Sequence, residues 1–182
     1  MHVYPQHLQW FPAKNSNARF VAPRLVVCSD GCDTHHDLGD EPRYVLDLRD
    51  PTDTDDRATQ RWRHPEHHTA ACIVHLRLLP VPDGVTVPAE AVAEAVGWHR
   101  DVRAMAPDAL VVVQCYAGVS RSATVAYAIL RTCYGVGHIA ARHRVRTMRE
   151  GEFVGPVDHR LREAARWCDE EARTSAFGTR ER

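Results

Sequence analysis

The chain has 182 residues, 44% of them hydrophobic and 26% charged, and a net charge of −1 with histidine neutral. That length and balance predict one domain with an ordinary buried core. The near-zero charge excludes a global attraction to nucleic acid or to an anionic membrane surface, and leaves only a local basic pocket open.

Residues 1–23 form an arm without clear periodicity and without the apolar run of a secretory signal. Trp10, Phe11 and Phe20 predict that this arm docks on something rather than floating free. RLVVCS (24–29) reads as a buried strand, and CDTHHDLGDEP after it as a loop or weak helix. RYVLDL (43–48) is a second strand, followed by the polar, irregular DPTDTDDRATQRWRHPEHH (50–68). ACIVHLRLLPV (71–81) is a third strand, closed by Pro80 and Pro82. PAEAVAEAVGWHRDVRAMA (88–106) has helical amphipathicity, with Pro88 at or near the first turn, where a missing N–H costs little. ALVVVQC (109–115) is apolar almost throughout, as a central parallel strand should be. SRSATVAYAILRTCY is a helix with Gly135 as its stop. GHIAARHRVRTMRE (137–150) and GPVDHRLREAARWCDEEA (155–172) predict two more helices, and the polar tail 173–182 is expected to fray. The order predicts an α/β domain over 24–172: a mainly parallel central sheet of four to five strands flanked by helices, with a helical C-terminal third. No stretch approaches the ~20 apolar residues of a membrane span, so a cytoplasmic location is expected. In that reducing compartment Cys28, Cys32, Cys72, Cys115, Cys133 and Cys168 are expected as thiols, most of them small core residues.

The densest chemistry lies in VVVQCYAGVSRSATVAYAIL (111–130). Cys115 ends the predicted central strand, the edge at which open α/β sheets bind ligands. The loop that follows can converge its backbone N–H groups on one point, and the helix N-terminus adds partial positive charge. Ala117 and Gly118 are small enough for close backbone approach. Arg121 offers a planar fork to two phosphate oxygens. The same field favours the thiolate of Cys115, the reactive form. A cysteine and an arginine at this spacing could also be a buried strand-end thiol and a surface helix cation. The glycine, the serines at 120 and 122 and the strand-to-helix context favour a wrap around one small tetrahedral oxyanion.

CYAGVSRS resembles the signature loop of the cysteine-dependent protein tyrosine phosphatases, most closely the compact dual-specificity-like and bacterial ones, whose loops end in G-x-S-R-S. The resemblance covers roughly residues 24–172 and is specific only in the loop. It implies a two-step hydrolysis of phosphomonoesters through a phosphocysteine, without metal or other cofactor, with phosphate held by Tyr116, Ala117, Gly118, Val119, Ser120 and Arg121. It also implies an aspartate as general acid, on a loop roughly thirty residues before the cysteine. Asp83 in LLPVPDGVTVP stands 32 residues ahead of Cys115 in such a loop, although Asp-Gly is also common in plain turns. Asp30, Asp50, Asp53, Asp55 and Asp56 are competitors without a matching position. In similar enzymes the hydroxyl of the residue matching Ser122 donates to the sulfur when the phosphocysteine breaks. Ser120 is expected to brace the loop. The chain departs from the family in one place: Gln114 stands where histidine usually precedes the cysteine, removing one group that favours the thiolate.

Other clusters carry less. His35, His36, His64, His67 and His68, with Cys28 and Cys32, have no familiar zinc spacing. Arg144, Arg146 and Arg149 on the penultimate predicted helix could face a phosphosubstrate, pin the fold or be solvated. Cys72 or Cys28 could pair reversibly with Cys115 against over-oxidation. Lys14 is the only lysine, and the arginine excess reads most simply as genome composition.

The expected activity is therefore a protein-tyrosine phosphatase, with dual specificity open, whose partner is a phosphorylated protein and not nucleic acid or membrane. A phosphoinositide, inositol-phosphate or RNA 5′-phosphate hydrolase on the same scaffold is the alternative, opposed by the uncharged Tyr116, Ala117 and Val119. A catalytically weak phosphate-binding module remains the non-enzymatic reading because of Gln114.

Overall fold

The computed structural model describes residues 18–29, 43–50, 73–149, 152–156 and 158–178. Five strands, β1 (Ala18–Ala22), β2 (Leu25–Ser29), β3 (Arg43–Asp47), β4 (Ile73–Leu78) and β5 (Leu110–Cys115), form one sheet in the order β1-β2-β5-β3-β4. Only the β1–β2 pair is antiparallel; β5 pairs in parallel with β2 on one side and with β3 on the other. The β-branched residues of LVVVQC suit this central place, and all six are buried.

Side chains alternate across the sheet. Val111, Val113 and Cys115 face the main core, while Leu110 and Val112 join Val26, Cys28 and Val45 in a second cluster on the opposite face. The main core is built around α2 (Arg121–Cys133), whose first ten residues are all buried. It packs against β5, β2 and the other three described helices, which explains why its sequence is small and apolar on every side. α1 (Ala89–Met105) turns a stripe of Val92, Ala95, Val96, His99 and Val102 inward. Each fully buried valine of that stripe contributes about 1.5–3 kcal/mol. Pro88 caps α1 from an extended backbone, immediately before the first helical residue. At the end of α2, Gly135 has φ 63° and the Val136 N–H reaches the Leu130 carbonyl at 3.0 Å, so the predicted stop is in place.

Three expectations are corrected. The arm predicted over 1–23 is not wholly outside the sheet, because β1 lies within it and pairs with β2. Phe20 on β1 is itself exposed, while Trp10 and Phe11 lie outside the described residues. The helix predicted over 137–150 ends early: α3 (His138–Val145) stops at an extended Arg146, and β6 (Thr147–Arg149) pairs antiparallel with β7 (Glu152–Val154). Threonine, phenylalanine and valine in these strands favour the extended state once the helix is capped. The last helix, α4 (Asp158–Gly178), runs through part of the tail expected to fray. Arg173 and Thr174 hydrogen-bond back to the carbonyls of Asp169 and Glu170 there. Among the described residues no helix is long and apolar enough to cross a membrane.

Candidate active site

The register brings three strand ends level. Ser29 of β2 lies opposite Cys115, and Asp47 of β3 opposite Gln114. The chain leaves β5 at Cys115 and enters α2 at Arg121, so the turn at 116–120 sits over the C-terminal edge of the sheet. Gly118 adopts φ 66°, and a Cβ there would come within 2.8 Å of the Ser29 backbone nitrogen. Glycine is therefore required twice, by backbone conformation and by the approach to β2. The Cys115 sulfur is buried, and the Ser122 hydroxyl lies 3.1 Å from it. Ser122 stands in the first turn of α2.

Asp83 arrives by a different route. The hydrogen-bond ladder from β5 through β3 continues past the end of β4. Leu48 N–H donates to Gln114, Leu79 N–H to Asp47 and Val81 N–H to Leu48. These bonds hold residues 79–81 beside the sheet edge and aim the Val81 carbonyl inward. Arg121 donates one Nη to that carbonyl at 2.8 Å and places the other 3.3 Å from Asp83 Oδ1. The guanidinium is 2% exposed and the carboxylate 67%, so the pair has one dry partner and one wet partner. Asp83 thus meets Arg121 although 38 residues separate them in sequence. Asp50 lies three residues past the end of β3; Asp30, Asp53, Asp55 and Asp56 lie outside the described residues.

Two arginines that the sequence did not single out hold the loops from outside. Arg19 on β1 donates to the Gly118 carbonyl at 2.9 Å and to the Val145 carbonyl, at the end of α3, at 2.7 Å. Arg160, in the first turns of α4, donates to Ser120 Oγ at 2.7 Å and to the Gly84 carbonyl at 3.2 Å. The bracing expected of Ser120 therefore comes through Arg160. No sequence signal separates these two from the many other arginines. Of the arginines considered earlier, Arg144 is on α3 and half-buried, whereas Arg146 and Arg149 fall beyond its end.

Gln114 points away from the sulfur, on the face of Leu110 and Val112. It is fully buried, and neither atom of its amide has a hydrogen-bond partner among the described residues. Cys28 lies directly across from Gln114 and faces the second cluster. A Cys28–Cys115 disulfide would have to pass through the sheet, so that pairing is ruled out in this fold. Cys72 lies outside the described residues, as do Cys32, His35, His36, His64, His67 and His68. Among the described residues no group of three or more histidine, cysteine or acidic side chains could hold a metal ion. Cys168 is a core thiol, pushed up to about 11 by burial.

A nearly all-parallel sheet whose central strand ends in a cysteine, with a glycine-pinned turn leading to an arginine at the helix start, has the fold of the protein tyrosine and dual-specificity phosphatases, of the compact dual-specificity-like type. The structure is similar to that of Tk-PTP in its active form, at 18% identity and TM-score 0.64 over 85% of this chain and 97% of that one. It is similar to PTPMT1 in complex with PI(5)P, at 16% identity and TM-score 0.64 over 87% and 99%. A mouse putative dual specificity phosphatase complexed with zinc tungstate gives 16% identity and TM-score 0.66 over 92% and 96%. At such identities the likeness is one of fold. No family model matches the chain, and no curated protein matches it in sequence.

Proposed function

We propose that the chain is a cysteine-dependent phosphomonoester hydrolase acting on phosphorylated proteins, on phosphotyrosine first and in dual-specificity fashion on phosphoserine and phosphothreonine. The observation that carries this reading is the meeting of Asp83 with Arg121 at 3.3 Å, at the strand edge where Cys115 and Ser122 also lie. Cys115 Sγ attacks phosphorus and the bond to the leaving oxygen breaks. Arg121 and the N–H groups of residues 116–121 hold the three equatorial oxygens, most strongly as charge spreads over them. Asp83 gives its proton to the leaving oxygen. Its carboxylate then takes a proton from water, which attacks the phosphocysteine. The S–P bond breaks, and the sulfur departs as a thiolate that the Ser122 hydroxyl stabilises by donating to it.

The proposed catalytic unit includes β1, since Arg19 on that strand grips the Gly118 carbonyl. The exposed Tyr116 and Ala117 add no cation to the mouth of the loop, which supports a singly phosphorylated substrate over a polyphosphorylated one. The PI(5)P bound in one structure neighbour keeps a lipid phosphate as the second reading.

Hydrolysis of p-nitrophenyl phosphate tests the proposal. The wild type should turn over and Cys115→Ser should not, while Cys115→Ser still binds a phosphotyrosine peptide. Equal rates for the two proteins would sink the enzymatic reading and leave phosphate recognition alone. Turnover of inositol phospholipid far above that of phosphopeptide would replace the protein substrate by the lipid one.

A further inference from the structure

We infer that Arg160 is a positioning residue that ties the loop carrying Asp83 to the phosphate loop, and so sets where the proton donor stands. The inference rests on the proposed phosphatase reading for its catalytic consequence, though not for its structural content. Arg160 projects from α4, an element that contributes neither Cys115, Arg121 nor Asp83. Its two terminal nitrogens go to different loops. One donates to Ser120 Oγ, next to Arg121; the other donates to the carbonyl of Gly84, next to Asp83. A planar fork with two fixed donors suits this span, because orienting one nitrogen orients the other.

Both acceptors are neutral, and among the described residues no carboxylate pairs with Arg160. Its Nε is buried without an acceptor among the described residues, an arrangement that opposes folding. Arg160 is thus a poor stability device and a good geometric one. The acid loop needs such a device. Its described backbone ties to β3 end at the Val81 N–H, which donates to Leu48; beyond that point the Val81 carbonyl and the Asp83 carboxylate both rest on Arg121. During turnover Arg121 must serve phosphate oxygens, and Asp83 must swing its proton toward the leaving oxygen. The Arg160–Gly84 bond touches neither group, so it persists when those two contacts loosen. Gly84 has φ 77° and nothing within 4 Å of where a Cβ would stand, so Gly84 itself is not fixed by packing, and the nearest buried anchors are Val81 and Val87.

The experiment uses the full chain with Arg160→Met, which keeps length and removes both donors, and Arg160→Lys, which keeps charge and reaches one acceptor at a time. Hydrogen exchange should speed several-fold at the amides of 81–87 in Arg160→Met, with α1 unchanged. In turnover, Arg160→Met should lose about tenfold in kcat on phenyl phosphate, whose leaving group needs a proton. It should lose less than threefold on a low-pKa aryl phosphate. Placed in an Asp83→Asn background it should add no further loss, and Arg160→Lys should fall between. Unchanged exchange at 81–87 would overturn the inference, as would equal losses on both aryl phosphates or a rise in KM alone, which would assign Arg160 to phosphate binding. If exchange speeds while wild type and Cys115→Ser are equally inert, the strap stands and the phosphatase reading fails.

Discussion

Residues 115–121 and residues 79–88 both reach the C-terminal edge of the sheet, and they are held there in different ways. The first stretch starts and ends on buried side chains, Cys115 and Arg121, with Gly118 pressed on β2 between them. Its shape is local: six peptide units join the thiol to the guanidinium, and flanking strand and helix clamp both ends. The second stretch exposes Pro80, Pro82, Asp83, Gly84 and Val85 and buries only Val81 and Val87. Its shape is borrowed from β3, Arg121 and Arg160. The proposed mechanism asks the first stretch to be rigid before substrate arrives, because preorganised dipoles avoid reorganisation in the transition state. The same mechanism asks the second to bring a proton donor to a leaving group of variable size, and a solvent-facing turn on long-range ties allows that.

Substitutions should separate the two constructions. Arg121→Lys removes the planar fork from the cradle; kcat/KM should fall about 10³-fold on every aryl phosphate regardless of leaving group, and a steeper loss on poor leaving groups would mean that Arg121 acts mainly by holding Asp83. Gly118→Ala pushes a methyl against the Ser29 backbone and strains φ, costing about 2–3 kcal/mol, read as a fall in Tm of roughly 5–10 °C. No comparable cost should attend Gly84→Ala in packing terms, since nothing lies near its α-carbon. Asp83→Asn should cost about 10²-fold in kcat on phenyl phosphate, with little effect on a low-pKa aryl phosphate or on Tm.

A control for stability sits away from both loops. His99, buried on α1 with Tyr134 Oη 3.5 Å from its Nε2, has its pKa lowered to about 4 by burial and then by the nearby Arg103 and Arg100. The unfolded histidine takes a proton near pH 6.5 and the folded one does not. Stability is therefore full above that pH and is lost as pH falls toward 4. At pH 5 the loss should be about 2 kcal/mol, measured by denaturant unfolding. His99→Phe should flatten that slope while leaving the loops alone, and an unchanged slope would place the acid sensitivity elsewhere. The smallest effect expected is that of Arg19→Met. Freeing the Gly118 carbonyl should cost roughly 1 kcal/mol of stability and a few-fold in kcat/KM, without changing leaving-group dependence. A change in that dependence would tie Arg19 to the acid loop as well.

Legibility followed the range of the interactions. LVVVQC, the glycine at 118 and the stop at Gly135 could be read directly, because continuous burial, positive φ and helix termination leave marks on the residues that bear them. The helix predicted over 137–150 and the arm predicted to reach residue 23 went astray for a shared reason. Short strands such as β1 and β6 have little signal of their own and exist because a partner strand completes their hydrogen bonds.

By itself the sequence determined that a thiol, a glycine and a guanidinium follow one another across a strand-to-helix turn, since chain connectivity enforces that proximity. Only the tertiary structure decided that Asp83 meets Arg121, that Gln114 and Cys28 face away from the sulfur, and that Arg19 and Arg160 grip the loops. Those relations depend on strand order, register and helix docking, and a single arginine or aspartate carries no mark of the neighbour that sheet closure will bring to it.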